Sequence, residues 1–232
     1  MLAGVISCYS MANNPVKVSL THIPKVLDYD TPNAPYNKLI KKIKQQLTLD
    51  VDFQYMPSER GTRLLSQGKI DCIFPIIPGD YPRQEKTQFS AAVNGISLHL
   101  FALDNIYTTL PELNQKVVVH LRGYLFANYV YNFPEVTFFP TANQLNALKM
   151  LKSGRASAYL DYIPDVRFSL PQSAFKQLKF DLNKPVLKSS DRFECKASGK
   201  PLQFLQHAEA VIGKLKKSGE LKELLGAYYA PI

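Results

Sequence analysis

Tryptophan is absent from this chain of 232 residues, and histidine and cysteine are scarce, at four and three. That scarcity limits the chemistry first. Neither HExxH nor CxxC occurs, and no Cys or His spacing suits zinc, so a metal centre is excluded, and no cofactor is expected. Long apolar runs are missing too: no segment approaches the ~20 residues that a membrane-spanning helix needs. Without a helix-turn-helix or RNA-binding signature, nucleic acid is not expected as a partner. Low-complexity stretches and linkers are also lacking. Acidic residues are in the minority, 19 against 28 Lys plus Arg, for a net charge of +9. The basic surplus is scattered. Its densest cluster, Lys38, Lys41, Lys42 and Lys44, is the solvated face of a helix whose Tyr36, Leu39, Ile40, Ile43 and Leu47 form the buried stripe. Such a balance is ordinary for secreted bacterial proteins and for proteins that capture anions.

What is present is one phrase written twice. Residues 63–75 read RLLSQGKIDCIFP and residues 149–161 read KMLKSGRASAYLD. Each is the end of an amphipathic helix, a glycine (Gly68, Gly154), a basic residue (Lys69, Arg155) and a short apolar run. Glycine is the natural left-handed stop after a helix, and the apolar runs at 70–77 and 156–163 read as buried strands. Two such units in register suggest two α/β lobes of similar design, with a cleft between them where ligands bind. The alternative is two unrelated helix–strand connections, which are common.

Residues 2–7 look like the tail of an apolar signal region. Ser10-Met11-Ala12 fits a cleavage site with a mature start near Asn13, and Val5-Ile6-Ser7-Cys8 fits a lipoprotein box, which would lipidate Cys8. No basic stretch precedes either, and a short unstructured leader is the plain alternative. Cys72, in the first buried strand, and Cys195, in RFECKA, are either a disulfide pair or two buried thiols.

Along the chain, 16–20 reads as a strand, 36–47 as a helix and 51–56 as a strand. A helix then opens at Pro57-Ser58-Glu59 with Ser58 as its cap, and 70–77 and 95–103 are strands. In the second lobe VVVHL (117–121) is a strand running through Arg122-Gly123 into a helix YLFANYVYN, whose free N–H groups at 123–125 suit an anion. Strand 136–140 and a helix capped by Thr141 follow. The extended stretch 179–187 returns the chain to the first lobe, where RFECKA forms a strand and two helices end the chain. The expected division is a leader at 1–14, lobe one at 15–102 and 187–232, and lobe two at 103–186.

Five stretches carry a family likeness: PSERGTRLLSQGKIDCIFP; Arg83 six residues before Phe89-Ser90; VVVHLRGY; ALKMLKSGRASAYLD; and AVIGKLKKSGELKELLGAYY. In this order and spacing, over residues 15–230, the chain resembles the bacterial extracellular solute-binding proteins of family 3, the class of the periplasmic amino-acid-binding proteins. The resemblance implies an α/β, two-lobed periplasmic-binding-protein-like (type II) fold with a ligand cleft between the lobes. It also implies a monomer that is periplasmic or lipid-anchored, with a small-molecule ligand and a membrane transporter permease of the ABC type as partners. It places Arg83 where members bind the ligand's α-carboxylate, a task that suits a guanidinium fork. It places Gly123 and Tyr124 at the second-lobe junction whose amides hold the same group, His22 where members carry an acidic ligand contact, and Ser58 near an aromatic lid. The threonine that usually assists the arginine has no counterpart.

The second lobe departs from the pattern. Members carry an Asp that pairs with the ligand's ammonium. Here that position is Tyr162, with Asp161 one residue before it and so on the opposite face of the strand. The expectation is therefore a small anionic or carboxylate-bearing solute, or an aromatic or cyclic one, walled by Tyr55, Tyr81, Tyr124 and Tyr162. A dehydratase-like enzyme on the same scaffold, with Asp161 or Glu85 as general acid, and a ligand-sensing module are the alternatives. No nucleophile–base pair is legible, so capture without catalysis leads.

Overall fold

The computed structural model describes residues 14–78, 83, 85–124 and 126–232. The leader, with Cys8 and its cleavage site, and Tyr81 lie outside them. The elements run β1 (Val16–Thr21), α1 (Pro35–Gln46), β2 (Val51–Met56), α2 (Ser58–Ser66), β3 (Cys72–Ile76), β4 (Thr87–Phe89) and β5 (Asn94–Phe101). Next come β6 (Val117–Leu121), β7 (Thr137–Thr141), α3 (Gln144–Lys152), β8 (Ala158–Tyr162), α4 (Ile163–Ser169) and α5 (Gln172–Phe175). The chain ends with β9 (Leu187–Lys196), α6 (Gly199–Ser218) and α7 (Glu220–Leu225).

Strand order is β2-β1-β3-β9-β5-β8-β6-β7, with β4 added on β9. The two ends of that order are built alike. β1 lies between β2 and β3, parallel to both; β6 lies between β7 and β8, parallel to both. Each trio is followed by one antiparallel strand, β9 or β5, and those two pair with each other. The repeated phrase is the same junction in each trio. α2 ends before Gly68 (φ 68°) and leads to β3; α3 ends before Gly154 (φ 70°) and leads to β8. Both turns need the left-handed backbone that glycine adopts without strain.

The core is divided accordingly. One apolar cluster joins β1, α1 and β3 to Phe193, Cys195 and the C-terminal helices, from Phe204 to Tyr228. Two others draw on residues 96–178, from Ile96 and Leu98 through Leu160 to Leu178. Core membership changes between Val93 and Ile96 on the way out; on the way back Leu187 packs with the second half and Phe193 sits in the first. β5 and β9 are thus the two crossings.

Several local expectations are corrected. The helix after Gly123 is a 3-10 turn at Phe126–Asn132, because aromatic and β-branched residues there favour no α-helix. Ser58 is the first residue of α2; Pro57 precedes it and no side chain caps the helix. Thr141 closes β7 and donates to the His120 carbonyl (3.1 Å), while Asn143 caps α3 by accepting from the Asn146 N–H at 2.9 Å. The stretch 179–186 is mostly irregular, and the return strand starts at Leu187. Among the described residues no helix is long and apolar enough to cross a membrane, and no group of three metal-ligating side chains converges.

Cys72 and Cys195 are register partners on β3 and β9, with Cα atoms 4.1 Å apart, and form a disulfide. It spans 123 positions. In the chain-entropy account, a loop of that size restricts the unfolded state by about 5 kcal/mol. Replacing both cysteines by alanine is expected to lower Tm by roughly 10–20 °C at about 2–4 °C per kcal/mol, read by calorimetry; an unchanged Tm would show that the bridge does not form in solution.

Candidate functional site

The carboxyl ends of the parallel strands from both halves face one another, where α/β folds place their ligands. The cleft between them is lined from the first half by Thr21, Ile23, Ser58, Thr62, Pro75, Ile76 and Ile77. Tyr124, Phe126, Tyr162 and Asp165 line it from the second half; Ile96 and Asp191 lie on the crossing strands, and Tyr228 comes from the C-terminal segment. Its volume is about 60 Å³.

The walls are mainly apolar and aromatic, with hydroxyls from Thr21, Ser58 and Thr62, and the charged residues among the described lining are Asp165 and Asp191. No Lys, Arg or His is among the described lining residues. Asp165 lies in the first turn of α4, which Pro164 opens directly after β8. Its two oxygens accept from the Tyr124 hydroxyl at 2.8 Å and the Tyr228 hydroxyl at 2.9 Å. Tyr228 belongs to the core of the first half, so the second bond joins the halves. Asp191, on β9, accepts a short hydrogen bond from the buried Tyr36 hydroxyl. Burial pushes the Asp165 carboxyl up to about 6 and that of Asp191 up to about 7. Tyrosine hydroxyls satisfy hydrogen bonds but supply no positive charge, which is why the pKa values rise despite good partners. The Thr62 hydroxyl, also on the cleft, is buried without a partner.

The residues singled out from the sequence separate into groups. Ser58, Tyr124 and Tyr162 come together on the cleft. Gly123 (φ 83°) lines an adjoining groove and comes close to Glu59 of α2. Asp161 is fully buried and is not among the cleft's lining residues; its carboxylate accepts a short bond from the Tyr159 hydroxyl and one from the Tyr162 N–H at 2.8 Å. Burial, and then Asp165 nearby, raises its pKa strongly. His22 sits 3.2 Å from Asp28, outside the described lining. Tyr55 donates to Asn37 at 3.0 Å. Glu85 is exposed and 3.7 Å from Lys196.

Arg83 is placed differently from the expectation. Its guanidinium makes a two-pronged pair with Glu194 of β9, at 2.9 and 2.7 Å, and Thr87 donates to the same carboxylate at 2.7 Å. Glu194 is 2% exposed, so this is a desolvated pair that ties the segment at 83–87 to β9, and Arg83 is not among the cleft's described lining residues. Sequence reading passed over Asp165, Asp191 and Tyr228. Pro164-Asp165 after the strand carried a helix-start signal. Asp191 and Tyr228, by contrast, reach the cleft only through strand register and the packing of the C-terminus.

No protein-family model matches the chain, and neither does any curated protein. Solved structures do match. The GluR0 ligand-binding core from Nostoc punctiforme, in complex with L-glutamate, superposes with a TM-score of 0.77 at 15% identity, over 94% of this chain and 100% of that one. The fold is that of the two-lobed solute-binding proteins. The amino acid ABC transporter substrate-binding protein AbpA from Streptococcus pneumoniae, bound to L-arginine, matches at TM-score 0.71 and 19% identity, over 91% and 92% of the two chains. AncCDT-1, an ancestral amino-acid-binding protein and precursor of cyclohexadienyl dehydratase, matches at 0.68 and 19%, over 93% and 95%.

The buried acids generate a pH dependence. A carboxyl raised from 3.8 to about 7 keeps its proton in the folded state where the unfolded chain has lost it. Its contribution is present below pH 4 and is lost as pH rises through the folded value, on the order of 4 kcal/mol for Asp191. The Tm of the solute-free protein is expected to fall between pH 5 and 8, and Asp191→Asn to flatten that fall; a wild-type Tm rising over this range would contradict the assignment.

Proposed function

We propose that this protein captures a small organic cation, an amine with an apolar body, by closing its lobes on it. The observation that carries this reading is the cleft lining: two buried carboxylates, aromatic and aliphatic walls, and no base among the described residues. An ammonium between Asp165 and Asp191 would ionise both and replace the charge that burial removed from them. Contacts to both halves would favour the closed state over the open one. The anionic solute expected from the sequence rested on Arg83, on the amides at Gly123 and Tyr124 and on Tyr162 in place of an acid; of these, the Arg83 guanidinium is paired with Glu194.

The likeness to an ABC transporter substrate-binding protein supports delivery to a membrane permease, and the disulfide supports an exported location, since such bonds persist in oxidising compartments. A second reading is favoured by one observation: Asp165, held near 6, has the pKa of a general acid, as a dehydratase would need.

Isothermal titration against amines, simple carboxylates and α-amino acids tests the proposal. Amines are expected to bind, more tightly as pH rises from 5 to 8, because the acids must lose their protons to accept the cation. Asp165→Asn should weaken binding by about 30-fold or more, the effect of removing one partner of a buried charged pair. Carboxylate binding that disappears in Arg83→Ala would restore the anionic reading, and turnover of a cyclic acid lost in Asp165→Asn would establish the enzyme.

A further inference from the structure

Ser58 and Tyr124 line the cleft, and their chain neighbours Glu59 and Gly123 line a second groove, of about 470 Å³. Three arginines line it: Arg60 and Arg63 from α2 in the first half, and Arg122, just after β6, in the second. All three are exposed, and none of their guanidinium groups has a hydrogen-bond or ion-pair partner among the described residues. Glu59 is the one acid among the described residues of the groove and forms no ion pair with them. Like charges three residues apart on a helix, as Arg60 and Arg63 are, oppose one another. A third guanidinium brought up by the other half adds to that repulsion when the halves approach.

An anion placed there removes the repulsion and is held from both sides. Guanidinium forks pair with carboxylate or phosphonate through two parallel hydrogen bonds, and a group gripped by Arg63 and Arg122 together links the lobes. An acidic cleft and a basic groove are then neighbours: Ser58 and Tyr124 line the first, and the residues next to them in the chain, Glu59 and Gly123, line the second.

We infer that the solute is an extended zwitterion: an ammonium at Asp165 and Asp191, an apolar middle against the aromatic walls, and an anionic group at Arg60, Arg63 and Arg122. This rests on the amine reading above. It points to ω-amino acids and aminoalkyl phosphonates rather than α-amino acids, whose two charges share one carbon.

The test is titration of wild-type protein and an Arg63→Ala/Arg122→Ala double variant with two matched series of increasing chain length, n-alkylamines and ω-amino acids. In the wild type, one length of ω-amino acid is expected to bind at least tenfold more tightly than the amine of equal length. In the double variant that advantage should vanish while the affinity for the amine holds or improves. Equal affinity for both series in the wild type, or an advantage that survives in the variant, would overturn the inference and leave the amine reading standing. If no amine or ω-amino acid binds, the two fall together. Because the arginines are exposed, an unchanged Tm of the variant confirms that the fold is intact.

Discussion

Carboxylates buried where two lobes meet, held by tyrosine hydroxyls and by no base among the described residues, are the constraint on which the site depends. A hydroxyl satisfies the geometry of a buried oxygen but leaves its charge uncompensated. The folded protein therefore keeps Asp165 and Asp191 poised near neutrality, with pKa values about 6 and about 7. On the reading proposed above, a positive group arriving from solution supplies the missing charge. The same tyrosines also set the mechanics. Tyr228, from the C-terminal end, donates to Asp165 on α4, so one hydrogen bond both tunes the acid and joins the halves.

The crossing strands supply the frame. β5 and β9 pair with each other and each also pairs, antiparallel, with the last strand of one parallel trio, so both halves are fixed to a common two-stranded ribbon. Rigidity is concentrated in the first half. The disulfide joins β3 to β9, and the Arg83–Glu194 pair fastens the segment before β4 to the same strand. Leaving such an acid buried without its arginine costs several kcal/mol, which gives Arg83 a structural reason to be there. The C-terminal segment adds a clasp: the Asn94 side chain donates to the Tyr228 carbonyl and accepts from the Ala230 N–H, at the position where the core changes over.

Charge is sorted between two neighbouring concavities. Asp165 and Asp191 are the charged residues among the described lining of the cleft, while Arg60, Arg63 and Arg122 line the groove beside it. The scattered surplus of +9 hid this pattern, because net charge carries no information about which residues the fold brings to one groove.

Much of the architecture was legible locally. A helix stop at glycine followed by a buried strand is a short-range signal, and its repetition at Gly68 and Gly154 announced two similar lobes. Period-two alternation likewise put Tyr162 on the cleft and left Asp161 off it. The C-terminal helices and the buried stripe of α1 followed from helical periodicity. The site was less legible. Arg83 has the residue type and spacing of a carboxylate clamp, yet whether a guanidinium meets a ligand or a neighbour depends on what faces it. Here that is Glu194, more than a hundred residues away in the chain. Asp165, Asp191 and Tyr228 meet only because α4, β9 and the C-terminus converge at the crossing. The sequence by itself determined the units and their faces, since these follow from contacts a few residues apart. Only the tertiary structure decided which charges share a cleft, because that depends on the packing of segments whose separation along the chain says nothing of their distance in space.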